Sequence, residues 1–444
     1  MDLLHGKIKP LYWKYLAAAF GSTLIASIYG AVDMAVVGQY QGPDGTAALA
    51  VIAPIWNLVY SLGLLTGIGG SVLFSARRGS GDGGENEYFT VALGGSVGLA
   101  LLAWVGLLCF EKPLLLFFGA DDALLVLAQT YMRPIRVVFP LFLFSQMLAA
   151  FLRNDNAPGL ATLSVLSGGI FNIVGDCFFV FGLRMGIYGA GLATAIGSVI
   201  TFAVLLTHFF SSRCTLCPVR PTQPLHKLRQ ILVTGFSSFF VDVAMGILTV
   251  FFNRQIMRYL NADALAVYGV VINVSTFVQC CAYSVGQASQ PLVSANYGAG
   301  RPGRIRETLR LALWTTAGLG AVWTAVSLAC PNLFIYIFMK PTPEILAAAP
   351  AIIRTYALSF LLLPFNIYST YYFQAVLKPG AAFWVSVARG LVVSGLLILL
   401  LPAVVSTQSL WLAMPITECL VAVYAAAAMR RSARALPAAD AAPV

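Results

Sequence analysis

Asn172 and Asp176 stand four residues apart inside an apolar run, Leu163 to Phe181, that is long enough to cross a bilayer. On a helix that spacing puts the amide and the carboxylate on one face. A carboxylate at membrane depth costs about 2.5–3.5 kcal/mol on insertion scales, so acids placed there mark ion or substrate pathways. Asp33 lies in a second apolar run, and Asp242 and Glu418 lie in two more. Of the 17 acidic residues, these four are the ones expected inside membrane helices. Two carboxylates that meet in a dry environment need a proton or a cation between them. Asp33 and Asp176 are therefore read as an H+ site whose oxygens would also ligate Na+, the metal case. The plainer reading is a hydrogen-bonded polar clamp between helices. Asp242, within Phe239-Phe240-Val241-Asp242-Val243-Ala244-Met245, reads as an attraction point for a cationic substrate or as the partner of a nearby polar group. Glu418 reads as a second substrate contact or as the ion-pair partner of Arg389.

The elements that must position these residues follow from composition. The 444-residue chain is 59% hydrophobic and 10% charged, against about 25% charged in soluble domains. That makes it an all-α polytopic membrane protein. Apolar runs bounded by Gly, Pro or charge predict twelve transmembrane helices, with the first at Tyr12–Val37, the third at Tyr88–Phe110, the fifth at Leu160–Gly182 and the sixth at Ile187–Phe210. Lys and Arg gather in one alternating set of loops, 18 against 5 in the other set, where Lys112, Arg184, Arg254, Arg258 and Lys340 lie. Both termini are then cytoplasmic, in a bacterial inner membrane. In that topology Asp33 and Asp176 sit near the outer ends of helices one and five. Thr194, about two turns into helix six, reaches the same layer, and Asn172 completes it.

The chain repeats itself. Ala48-Leu49-Ala50-Val51 recurs as Ala264-Leu265-Ala266-Val267, and Gly191-Leu192-Ala193 is met by Trp411-Leu412-Ala413 at nearly the same offset. Six helices per repeat is an even number, so the halves share orientation. Repeats of this kind build alternating-access transporters with a cavity between the halves. The predicted organisation is an N-lobe at 1–210, a cytoplasmic connector at 211–229, a C-lobe at 230–430 and a tail at 431–444, Ala/Pro-rich and disordered. The polar layer does not repeat: Leu396 and Met414 occupy the second-half positions that correspond to Asp176 and Thr194.

Other classes lack their signatures. No basic stripe interleaved with aromatics points to nucleic acid, and no Walker Lys-Ser/Thr follows the Gly79-x-Gly81 or Gly298-x-Gly300 loops. No nucleotide or other cofactor is expected, so an ion gradient must supply the energy. Ile173-Val174-Gly175-Asp176 lacks the first glycine of the Gly-x-Gly-Asp found in intramembrane aspartyl proteases, so an enzyme is not expected. The apolar run behind Met1–Pro10 is too long for a signal-peptide core. Cys109, Cys177, Cys280, Cys281, Cys330 and Cys419 fall in apolar runs and read as reduced, buried thiols. Cys214-x-x-Cys217 has metal or redox spacing but no second pair, and its plain reading is two loop thiols. Pro140, Pro291 and Pro364 interrupt helices and permit kinks.

With these stretches assembled, the chain resembles the multidrug and toxic compound extrusion (MATE) family, in its prokaryotic DinF-like or MepA-like branch. The stretches that carry the likeness are Val32-Asp33-Met34-Ala35-Val36-Val37-Gly38, Phe171-Asn172-Ile173-Val174-Gly175-Asp176, Gly186-Ile187-Tyr188-Gly189-Ala190-Gly191-Leu192-Ala193-Thr194, Asn296-Tyr297-Gly298-Ala299-Gly300-Arg301 and Trp411-Leu412-Ala413-Met414-Pro415-Ile416-Thr417-Glu418. The resemblance implies a V-shaped pair of pseudo-symmetric six-helix lobes and a monomer that exchanges H+ or Na+ for cationic, amphipathic drugs. It also implies a cation site at Asp33, Asn172, Asp176 and Thr194, with Asp242 matching a helix-seven carboxylate used for the substrate or the cation. A lipid-linked saccharide flippase of the same superfamily is the alternative. Ala18 stands fifteen residues before Asp33, where the family usually carries a proline. The tenth predicted helix, Glu344–Gln374, has no acid after its first residue, although some members carry one there.

Overall fold

A computed structural model describes residues 3–338 and 342–435. Among them, 12 helices are long and apolar enough to cross a membrane. They are α1 (Ile8–Gln41), α2 (Asp44–Ser80), α3 (Glu85–Phe117), α4 (Asp122–Asn154), α5 (Pro158–Gly182), α6 (Gly186–Phe210), α7 (Pro224–Tyr259), α8 (Asp263–Gly298), α9 (Pro302–Ala329), α10 (Pro343–Ala375), α11 (Pro379–Val404) and α12 (Thr407–Arg434). No strand occurs among the described residues, and a short helix, Pro331–Phe338, precedes α10.

Local chemistry sets the helix ends. The Asp121 side chain accepts a hydrogen bond from Leu124 N at 2.8 Å and caps α4. At the corresponding point of the second half, Thr342 accepts from Ile345 N and caps α10. Each cap satisfies an orphan first-turn donor. Proline acts as expected in α10, where a 3-10 turn at Leu358–Leu361 breaks the helix before it resumes at Leu363-Pro364. In α5 and α11 the backbone widens into π turns, at Cys177–Gly182 and Ala388–Val392.

Several ends differ from expectation. Helix α3 runs through Pro113 to Phe117 after a non-helical residue at Phe110, so Glu111 lies inside it. Helix α12 continues to Arg434, which makes the start of the expected tail helical. Residues 436–444 of that tail and Lys340 fall outside the described residues. Cys109, Cys177, Cys330 and Cys419 are exposed rather than buried: Cys109, Cys177 and Cys419 stand on outward helix faces, and Cys330 at the non-helical end of α9.

The chain divides into two units, one of Ala17–Phe239 and one of Leu3–Leu16 with Phe240–Val444 as far as it is described. The boundaries fall inside α1 and inside α7. In the first unit α4 packs against α2, α3, α5 and α6. In the second, α8 packs against α9 and α10, and α10 against α11 and α12. The first unit is drawn tight by glycines. A methyl group on Gly191 of α6 would overlap the carbonyl oxygen of Tyr131 in α4. One on Gly197 would come within 2.8 Å of the Gly168 carbonyl in α5. Small residues let helix backbones touch in this way inside membranes.

Gly191→Ala should therefore lower the thermal unfolding midpoint in detergent, by the equivalent of about 1–3 kcal/mol of overpacking. Gly98→Ala, at a position with nothing within 4 Å of the added methyl, should leave the midpoint unchanged or raise it. Equal effects of the two substitutions would mean the α4–α6 contact is not tight.

Candidate functional site

Four helices of the first unit deliver polar side chains to one layer. Asp33 lies eight residues before the end of α1 and Asp176 six before the end of α5, while Tyr131 and Thr194 lie nine and eight residues after the starts of α4 and α6. At 1.5 Å per residue, each is about 9–14 Å from its helix end. Those four ends lie on the same side of the unit. The close approach at Gly191 sets Tyr131 beside Thr194, one turn further along α6.

The layer is bonded on one side only. Tyr131 Oη donates to Asp33 Oδ2 at 2.7 Å and lies 3.2 Å from Thr194 Oγ1. Asn172 Nδ2 donates to the same Thr194 hydroxyl at 3.1 Å. Asp33 Oδ1, Asn172 Oδ1 and both oxygens of Asp176 are buried without a hydrogen-bond partner. Asp176 is completely buried. Asp33 lies within electrostatic reach of Asp176, and both lie within reach of Tyr131. Among the described residues, neither carboxylate forms an ion pair. Unbonded buried oxygens are costly, and here several of them meet in a place suited to a proton or a hard, oxygen-preferring cation. The structure thus brings Asp33, Asn172, Asp176 and Thr194 together.

Tyr131 was missed by sequence reasoning. Its depth in α4, counted as Thr194 was counted in α6, would have found it. Glu111 was missed too, because the third helix was expected to end at Phe110. It is a buried acid of α3, held by Arg136 of α4 with Nη2–Oε contacts of 2.8 and 2.9 Å. That geometry engages both of its carboxylate oxygens.

The second unit holds its acids differently. Glu418 is fully buried, with Oε1 accepting from Arg389 Nε at 2.8 Å and Oε2 accepting from Asn366 Nδ2 at 2.6 Å. Of the two readings of Glu418, substrate contact or partner of Arg389, the structure shows the ion pair, with both oxygens engaged by α10 and α11. Asp242 of α7 is half-buried, and its Oδ2 has no hydrogen-bond partner. It lies within electrostatic reach of Tyr283 of α8, whose ring meets Tyr371 edge-on at 6.3 Å. Gly390 brings α11 against α7 beside it, since a methyl there would come within 2.8 Å of Ala244 Cβ.

Two like-built helical units with ionisable groups buried at membrane depth are the architecture of a polytopic membrane protein. The sequence model of the MatE family matches residues 18–178 and again residues 238–397, and the chain belongs to that family. The second match begins at the offset already seen in the internal repeat. Among relatives, multidrug export protein MepA of Staphylococcus haemolyticus (strain JCSC1435) is 24% identical over 383 residues, covering 85% of this chain and 84% of its own. MepA of Staphylococcus saprophyticus is 23% identical over 376 residues, covering 84% and 82%. Among solved structures, an outward-facing multidrug resistance MATE family transporter of the MOP superfamily aligns over 98% of both chains with TM-score 0.89 and 20% identity. A MOP superfamily transporter from Pyrococcus furiosus aligns over 98% of both with TM-score 0.90 and 20% identity. At that identity the structural likeness shows the fold.

Because Arg389 and Glu418 neutralise each other in a dry site, removing one should cost more than removing both. Glu418→Gln is expected to destabilise by about 3–5 kcal/mol, and Arg389→Met with Glu418→Leu to recover most of that. Thermal unfolding in detergent reads both; additive losses would show that the pair is not isolated from water.

Proposed function

We propose that the chain is a cation-coupled antiporter that exports cationic, amphipathic small molecules by alternating access across the bacterial inner membrane. The observation that carries this reading is the set of buried, unbonded oxygens on Asp33, Asn172 and Asp176, with no cation among the described residues paired to them. H+ or Na+ entering from outside supplies the missing positive charge, and Thr194 and Tyr131 hold the donors that orient the site. Asp242, with one carboxylate oxygen free, receives the positive charge of the substrate. Glu418 enters as the anion that keeps Arg389 in place.

The chemistry follows from linkage. An ion that binds one conformation more tightly shifts the population toward it, and the substrate must then be bound less tightly there by the same coupling free energy. A membrane potential of 100 mV contributes about 2.3 kcal/mol per charge moved inward. The 18-to-5 bias of Lys and Arg supports cytoplasmic termini, and the multidrug export names of the relatives support the substrate class.

The test is efflux from proteoliposomes with the pH gradient and the Na+ gradient imposed separately. One gradient should drive export of a fluorescent lipophilic cation by the unmodified protein. Asp33→Asn and Asp176→Asn should each reduce gradient-driven efflux by at least about tenfold, the loss expected when about 1.4 kcal/mol or more of coupling is removed. Efflux at the normal rate in either variant would overturn the assignment.

A further inference from the structure

Three groups that the transport reading does not use converge where α2, α4 and α6 end beside the connector. Asp155 follows the last residue of α4 and His208 sits in the final turn of α6, and they are 1% and 2% exposed. His208 Nε2 lies 2.8 Å from Asp155 Oδ2. Cys214 of the connector completes a set whose ligand atoms all lie within 4.8 Å of one another. Cys217 follows at Cys-x-x-Cys spacing; it is exposed, yet near enough to Cys214 for their charges to interact.

The segment that carries both thiols is held in register by the first unit. Asn86 at the start of α3 donates to Thr215 O at 3.0 Å and accepts from Cys217 N at 3.1 Å. Thr215 donates its amide to Asp155 Oδ2 at 3.0 Å and its hydroxyl to Oδ1. Arg78 Nη1 donates to the same Oδ1 at 2.8 Å. Burial alone would raise the Asp155 pKa, but His208, Thr215 and Arg78 together hold it below the usual carboxylate value. Hydrogen bonds from Arg78, His208 and Thr215 thus fix both Asp155 oxygens in place.

We propose that Asp155, His208, Cys214 and Cys217 bind a thiophilic divalent transition-metal ion of the zinc type, which fastens the connector to the first unit. One carboxylate oxygen, one imidazole nitrogen and two thiolates make the four-coordinate donor set that zinc takes. Charge also balances: Arg78 offsets Asp155, and two thiolates offset a divalent ion. A tetrahedral site with ligand bonds of about 2.0–2.3 Å needs donor pairs rather more than about 3 Å apart. Metal entry therefore parts His208 from Asp155 by a few tenths of an ångström and draws Cys217 inward. Both thiol protons leave to solvent and the His208 proton resides on Nδ1. In the structure the Cys214 thiol donates to Leu216 O at 3.6 Å.

The experiment uses the full chain, purified in detergent, stripped with chelator and titrated with Co2+. One Co2+ per chain should bind with the absorption of a tetrahedral thiolate complex and be displaced by Zn2+. Cys214→Ser and His208→Gln should weaken binding by at least about tenfold, whereas Cys109→Ser should not. Absence of a thiolate-to-cobalt band in the unmodified protein would overturn the proposal, as would a band that survives Cys214→Ser. The cluster would then be a hydrogen-bonded latch. Because the first readout needs no variant, it stands even if a substitution fails to fold.

Discussion

Two buried carboxylates, Asp33 and Asp176, share one layer of the first unit with one phenol donor between them. Leaving a buried charge unpaired costs several kcal/mol. A pair of them would exhaust much of the stability of an ordinary domain. On the proposed reading the unit tolerates the arrangement because the positive charge comes from outside the protein. A clamp whose purpose was to join helices would bond both oxygens of each acid, as Arg136 does for Glu111 and as Arg389 and Asn366 do for Glu418. The contrast between bonded and unbonded acids within one chain is the strongest structural argument for a binding role.

That layer depends on backbone contacts made by residues with no chemistry of their own. Gly191 lets α6 touch α4 at Tyr131, and Gly168 with Gly197 lets α5 touch α6 one turn from Asn172. Close backbones fix the side chains to within fractions of an ångström, which a site made of small hard donors requires. At the helix ends beyond the layer, the Tyr40 ring sits against Gly186 and meets Phe181 edge-on at 6.0 Å. Aromatic rings thus meet where α1, α5 and α6 end.

Much of this was legible in the sequence for plain physical reasons. Apolar runs of membrane length fix helix number, and an Asn and an Asp four residues apart fix a face. Depth counted from helix ends put Asp33, Asp176 and Thr194 at one level, and the structure unites them. What remained hidden was chemistry that looks ordinary locally. Tyr131 is one of 18 tyrosines, and only its contact with Asp33 sets it apart. Glu111 fell just past the expected end of the third helix at Phe110, whereas α3 bends at Phe110 and goes on. Asp155 and His208 are far apart in the chain, and neither carries a spacing signal that would tie it to Cys214.

The π turns add a point that the repeat makes sharper. One begins at Cys177, directly after Asp176, and the other at Ala388, directly before Arg389. The repeat, however, matches Asp176 with Leu396, which lies beyond the end of the second π turn at Val392. The two turns therefore do not occupy equivalent positions and are not a shared property of the two halves. Each instead adjoins a buried charged side chain. A π turn gives up regular backbone geometry, and such turns gather at functional sites. In α5 the widened turn follows an acid with no bonded partner; in α11 it contains an arginine whose partner is fixed. The same backbone device therefore serves two ends: in the second unit it seats a closed ion pair, and in the first it adjoins a carboxyl group with neither oxygen bonded.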